Sequence, residues 1–315
     1  MLLDSLLVAA NVVVPLIVLI AIGFLANMRR WISGDSFRQL NKLVFNVLLP
    51  CVIFDNVYSA SIKELVNTNM LLYGLGAVFV VFICGIPVSG LMTRDPYKRG
   101  VALQAIFRSN FVLYGFPIVQ SMYPRDRLGP VSVLIAVIIP VFNILAIIAL
   151  EMFRSGQVDM RKIIIGIIKN PLIIGAVAGI LCSFIGLELP QVLSRSLSNL
   201  SVAATPVALI ILGGTFQLQT LGENKNLLIS MASFKLLIVP AIFLSAAIFF
   251  GFRDVELLAF VSLFGSPAAV STFSMAQLMG ADSELAGQNL LTTTVLSVFT
   301  IFMWVWLLNH FAFIV

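Results

Sequence analysis

PLIVLIAIG at Pro15–Gly23 and PLIIGAVAG at Pro171–Gly179 are one phrase written twice. Outward from it, Pro50 has a counterpart in Pro206, Pro87 in Pro240, and Gly115-Phe116-Pro117 in Gly265-Ser266-Pro267. The offsets are 156 (171 − 15), 156 (206 − 50), 153 (240 − 87) and 150 (267 − 117). A slowly drifting offset over four landmarks describes a five-segment unit that occurs twice. In a membrane chain, interrupted helices at matching places of two repeats point to alternating access around a central site.

The composition requires a membrane. The chain of 315 residues is 60% hydrophobic and 10% charged, with a mean hydropathy of +1.07, where soluble domains carry roughly 25% charged residues. One water-facing core cannot hide so much apolar surface, so lipid is the expected solvent. No basic side chain precedes the first apolar run and no small-residue cleavage site closes it, so the run reads as a span and not as a leader. The basic balance sits in short loops, which argues for membrane orientation and against nucleic acid. Cys51, Cys84 and Cys182 lie in apolar runs without metal-ligand spacing and read as small hydrophobes.

Ten apolar segments can be drawn, at about 6–28, 43–59, 69–92, 101–123, 129–151, 163–186, 198–216, 226–251, 256–279 and 288–311. Loop charges orient them. One side has Arg29, Arg30, Arg38, Lys42, Arg94, Lys98, Arg99, Arg154, Arg161, Lys162, Lys169 and Lys225; the other has Lys63, Arg125, Arg127, Arg195 and Arg253. By the positive-inside rule both termini face outward. Five spans per unit then make the two copies inverted. The expected organisation is all-α and polytopic: residues 1–151 as the first five-helix repeat, 152–162 as a short cytoplasmic linker, and 163–315 as the second repeat.

The fourth and ninth spans are the expected interrupted ones. Arg108-Ser-Asn110-Phe-Val-Leu-Tyr114-Gly115-Phe-Pro117 places glycine and proline in mid-span, and Gly265-Ser266-Pro267 does the same in the ninth. Irregular backbone at membrane depth belongs where it is buried in protein or lines a watery cavity. Half-helix N-termini there would offer N–H groups and partial positive charge to a carboxylate. Asn110 beside the break and Asn143 after Pro140 are candidate binding amides, with Tyr114, Gly115, Pro117, Gly265, Ser266 and Pro267 around them. Asp55, Arg108 and Lys235 are charges within spans, functional candidates by default. Ser271, Thr272 and Gln277 are candidate sodium ligands; no other metal and no cofactor is expected.

Leu40-Asn41-Lys42-Leu43-Val44-Phe45 running to Leu48-Leu49-Pro50, the Arg108-Ser-Asn110-Phe to Gly115-Phe-Pro117 stretch, Lys169-Asn170-Pro171 and Gly265-Ser-Pro267-Ala together resemble the auxin efflux carrier family, whose bacterial members include malate and malonate permeases. The similarity covers nearly the whole chain. It implies a fold like the bile-acid sodium symporters, with spans 4 and 9 crossing at their broken centres. It also implies a scaffold of spans 1, 2, 6 and 7 and a transport domain of spans 3–5 and 8–10. The family's crossover asparagine falls on Asn110 and its crossover prolines on Pro117 and Pro267. Organic-anion substrates and a homodimer are implied in the same way. The link between the halves is short, unlike the long loop of plant members, and Ile53 stands where those often carry serine.

The expected function is that of a carrier for a small organic anion, malate-, malonate- or auxin-like, in the plasma (inner) membrane, with proton or sodium coupling open. The alternative is a sodium-coupled symporter of a larger anion on the same fold. Enzymes are disfavoured. The one histidine, His310, ends the last span; a single intramembrane aspartate, Asp55, cannot form an aspartyl dyad; and no nucleotide-binding loop is present.

Overall fold

Every expected apolar segment falls on a helix or a consecutive pair of helices in the computed structural model. The structure describes residues 2–58, 68–120, 122–124, 127–154, 160–216 and 222–314, with side chains except at 2–13, 68, 112, 115–117, 130, 154, 160 and 162–163. Lys63 and Arg125 of the loop count, and 155–159 of the linker, lie outside the described residues. The helices are α1 Leu2–Met28, α2 Gly34–Tyr58, α3 Thr68–Met92, α4 Pro96–Phe107, α5 Phe111–Gln120 and α6 Gly129–Arg154. They continue as α7 Met160–Ile168, α8 Pro171–Phe184, α9 Gln191–Thr215, α10 Lys225–Phe249, α11 Asp254–Gly265, α12 Val270–Leu278 and α13 Ser283–His310. Among the described residues, 7 helices are long and apolar enough to cross a membrane, and Val14–Met28 and Pro171–Phe184 are shorter apolar helices. Side chains such as Ile83, Phe184 and Phe249 point outward, as lipid-facing surface would.

Polar residues fix where the helices start. Asp95 accepts from Tyr97 N at 2.9 Å with Pro96 at the first helical position, and Asn170 accepts from Leu172 N at 2.9 Å ahead of Pro171. Ser33 caps α2 through Ser36 N and Asp282 caps α13 through Leu285 N. Each such cap stabilises its helix by about 1 kcal/mol, and proline costs nothing where its missing N–H would be unbonded anyway.

The bounds of three helix pairs recur at a near-constant spacing. α2 and α9 are 157 residues apart at both ends (191 − 34, 215 − 58), and so are α3 and α10 (225 − 68, 249 − 92). α4 and α11 are 158 apart at both ends (254 − 96, 265 − 107). The α4/α5 and α11/α12 pairs run antiparallel. Asp282 N, at the end of α12, donates to Tyr97 O at the start of α4 (3.2 Å), and Tyr123 Oη, beyond α5, donates to Asp254 at the start of α11 (2.9 Å).

Glycine permits the tightest helix crossing. A Cβ on Gly23 of α1 would lie 1.9 Å from Ile210 O of α9, and one on Gly213 of α9 would lie 1.9 Å from Ile20 O of α1. Close backbone approach through small residues is how apolar helices associate without a hydrophobic driving force. α2 packs on α8 in the same manner, with Gly175 against the Pro50 carbonyl.

Candidate functional site

Residues 108–110 leave the helix between α4 and α5, and 266–269 do so between α11 and α12. The two interruptions touch: Asn110 N donates to Pro267 O at 2.8 Å. Ser109 Oγ donates to Leu263 O in the last turn of α11, and Ala268 N donates to Thr293 Oγ1 of α13 at 3.2 Å. Backbone freed from one helix thus finds partners on another, the condition for irregular backbone in an apolar medium.

One expectation needs correcting here. Gly115 and Pro117 do not form the first interruption; α5 runs through both. At the helix offset of 158, the counterpart of Gly265-Ser266-Pro267 is Phe107-Arg108-Ser109. A proline removes one helical bond, and the freed carbonyl is readily satisfied locally in a membrane helix. A three-residue break needs external partners, and only Arg108–Asn110 has them, with Asn110 standing just before α5, where an asparagine suits a helix start. The side chain of Pro117 lies outside the described residues.

A cavity of about 90 Å³ opens at the crossing. Leu49, Val52, Ile53 and Asn56 of α2 and Thr205 of α9 form one wall; Arg108, Ser109, Asn110, Asn143 and Ser271 supply polar groups on the other. Arg108 is 3% exposed. Its guanidinium donates to Asn143 Oδ1 at 2.6 Å, Ser271 Oγ at 2.8 Å and Gln104 Oε1 at 3.1 Å, and contacts the Met275 sulfur. None of these partners is a carboxylate. Asn110 Nδ2, on the same wall, and Asn56 Nδ2, opposite, are buried without a hydrogen-bond partner. A buried amide without a partner costs roughly 1–3 kcal/mol, and an uncompensated buried charge costs more. The cavity therefore presents donors and positive charge in excess of acceptors, the chemistry that receives an anion.

The other expected residues sort by position. Lys235, fully buried in a π-helical turn of α10 (Phe234–Ile238), donates to Ser109 Oγ from behind the cavity wall. Tyr114 is buried but is not among the lining residues, Gly265 ends α11, and Ser266 Oγ turns back to Ser262 O. Pro267 contributes its carbonyl to Asn110. Asp55 is half-buried on α2, off the stripe 49/52/53/56 that faces the cavity.

Sodium ligation fits this donor set poorly. Ser271 Oγ is engaged by Arg108, and Gln277 Oε1 accepts from Asn41 Nδ2 at 2.7 Å. Thr272 Oγ1 is buried without a partner, but it stands as a single oxygen. Among the described residues no cluster of three or more His, Cys, Asp or Glu exists.

Asn56 and Ser109 are the site residues that the sequence reading passed over. Asn56 was detectable as the next member of the Leu49, Val52, Ile53 stripe at helical spacing. Ser109 stood inside the quoted motif, unremarkable until Lys235 met it.

Residues 8–305 match the family described as membrane transport protein. The chain belongs to that family. It is the auxin efflux carrier family of the sequence resemblance. A member named "Putative malonate transporter" from Rhizobium meliloti is 25% identical over 310 residues, covering 92% of this chain and 93% of its own. An uncharacterized transporter of Methanocaldococcus jannaschii is 21% identical over 312 residues, 96% and 99% of the two chains. The Escherichia coli uncharacterized transporter YfdV is 23% identical over 210 residues, 64% and 66% of the two chains. Family and relatives point to a membrane transporter rather than an enzyme.

Proposed function

We propose that this family member is a secondary carrier that moves a small organic anion, a mono- or dicarboxylate of malate or malonate size, by alternating access at the crossing of α4/α5 and α11/α12. The observation that carries the reading is Arg108: a buried guanidinium without a carboxylate partner, lining a cavity beside the unpartnered amide of Asn110. An entering carboxylate supplies the missing negative charge and accepts charge-assisted hydrogen bonds, which are about twice as strong as neutral ones. Asn143 holds the guanidinium in place, and Asn56 reaches the anion from the α2 wall.

Size favours the smaller substrates. The cavity of about 90 Å³ is smaller than the roughly 150 Å³ that accommodates benzene. Even a three-carbon diacid has more non-hydrogen atoms than benzene, so the walls must part for any of these anions, least for a three- or four-carbon acid and most for an indole ring or a sterol-like anion. The name of the Rhizobium meliloti relative supports the same class.

The carrier reading extends to architecture. Ten spans form two inverted five-helix repeats, 1–151 and 163–315, joined by 152–162; the constant helix offsets support this. α1, α2, α7/α8 and α9 act as the scaffold, locked by Gly23, Gly213 and Gly175, and the remaining helices act as the moving body. The cavity lies between the two groups, so relative motion exposes it to either side. The protein works as a homodimer in the plasma (inner) membrane with both termini outside.

Uptake of radiolabelled malate, malonate and indole-3-acetate into proteoliposomes tests the reading. Saturable uptake of a small carboxylate, abolished by Asn110→Ala at unchanged protein yield, is expected. Absence of saturable uptake for every carboxylate, with or without imposed proton and sodium gradients, overturns it.

A further inference from the structure

We infer that the Lys235 ammonium serves as a tethered cation in place of a coupling sodium ion, so that the carrier binds and moves its anion without sodium. The anion rests on the function proposed above; the cation site stands on its own geometry.

Lys235 is 0% exposed. Its Nζ donates to Ser109 Oγ, and Ser109 Oγ donates onward to Leu263 O. Those partners belong to both broken pairs: Ser109 lies just past the C-terminus of α4, and Leu263 lies in the last turn of α11. Helix C-termini carry partial negative charge from their unpaired carbonyls. In carriers with discontinuous helices, such C-terminal ends hold a sodium ion or proton, while the N-terminal ends face the anionic substrate group. Here the two halves of that arrangement are both visible. Asn110 and Ser271, at the starts of α5 and α12, line the cavity; Lys235 occupies the C-terminal side.

Two further observations favour a built-in cation over a bound one. Two of the three oxygens that the sequence offered to sodium are engaged elsewhere, Ser271 by Arg108 and Gln277 by Asn41, and the third, Thr272 Oγ1, stands alone. A second cation beside an ammonium and a guanidinium would also be repelled by both at close range. The π-helical turn Phe234–Ile238 supplies the local geometry. Such one-turn widenings recur at functional sites, and this one carries Lys235 to the crossing while Trp304 Nε1 holds the adjacent Leu236 carbonyl at 2.9 Å.

The first readout is thermal stability of purified protein in sodium chloride, choline chloride and methylammonium chloride at equal ionic strength, without substrate. Wild type should melt at the same temperature in sodium and choline. Lys235→Ala should melt lower in choline and be raised by several degrees in sodium or methylammonium, either of which can occupy the space left by the side chain. The second readout is malonate uptake. Wild type should be indifferent to sodium, and Lys235→Ala in choline should lose about thirtyfold or more, the lower end for truncating one partner of a buried charged contact, with partial rescue by either cation. A sodium-raised melting temperature or sodium-dependent uptake in wild type overturns the inference. So does a monodisperse Lys235→Ala protein that ignores both cations. If Lys235→Ala is not monodisperse, Lys235→Gln, which keeps a donor for Ser109 but no charge, replaces it: uptake falling well below wild type in both sodium and choline is expected, and wild-type uptake overturns the inference. Cation-responsive melting without uptake of any carboxylate would reject the proposed substrate class and leave the cation site standing.

Discussion

Replacing Arg108 with glutamine separates the cost of holding this charge from its use. Arg108 donates to three oxygens, on Gln104, Asn143 and Ser271. Glutamine offers two N–H groups, so one acceptor loses its partner, at roughly 1–3 kcal/mol. Against this, the substitution removes a buried cation that has no counter-ion among the described residues, whose desolvation penalty is itself several kcal/mol. The empty protein should therefore be as stable as wild type, or more stable by about 1–3 kcal/mol. Anion binding should move the opposite way. Truncating one partner of a buried, hydrogen-bonded charge pair costs about 2–5 kcal/mol, a weakening of roughly 30- to 5,000-fold. Thermal unfolding of the two proteins in detergent, with and without malonate, reads both quantities, and calorimetric titration gives the affinity directly. The reasoning is refuted if Arg108→Gln binds malonate as wild type does. It is equally refuted if the empty variant loses more than about 3 kcal/mol, for the guanidinium would then be a structural strut.

Three other perturbations test separate parts of the argument. Asn56→Leu removes a buried amide without a partner; it should leave the empty protein unchanged or slightly stabilised and weaken anion binding by about 1–3 kcal/mol, roughly 5- to 150-fold, by titration. Gly23→Leu drives a side chain into the Ile210 carbonyl; fluorescence-detected size exclusion should show little folded protein, whereas Gly76→Ala, with open space around its Cβ position, should behave as wild type. Asn41→Leu deprives the buried Ser274 hydroxyl and Gln277 of the partner that ties α2 to α12. It should lower stability by roughly 1 kcal/mol and, by loosening a contact between the scaffold and the moving body, change uptake rate more than affinity.

The sequence by itself determined a great deal. Apolar runs of membrane-crossing length follow from the solvent requirement alone, so the segments could be drawn from composition and fell on helices. Asn110 was legible because an amide beside a predicted helix break has few other uses in hydrocarbon. Arg108 and Lys235 were legible because an intramembrane charge is expensive wherever it sits. Tertiary structure alone decided what those residues do. Proline and glycine mark where a helix can break, but a break persists only where another segment satisfies the freed backbone. That placed the first interruption at Arg108–Asn110, against Pro267 O, and left Gly115 and Pro117 inside a helix. Sequence spacing likewise could not tell that Asp55 stands off the cavity while Asn56, one residue on, faces it. Nor could it tell that Lys235 meets Ser109 across 126 residues. The sign of the site is a sum over side chains from distant segments, and only folding sets Arg108 and Lys235 on neighbouring residues of one helix break, their side-chain hydrogen bonds going to neutral groups.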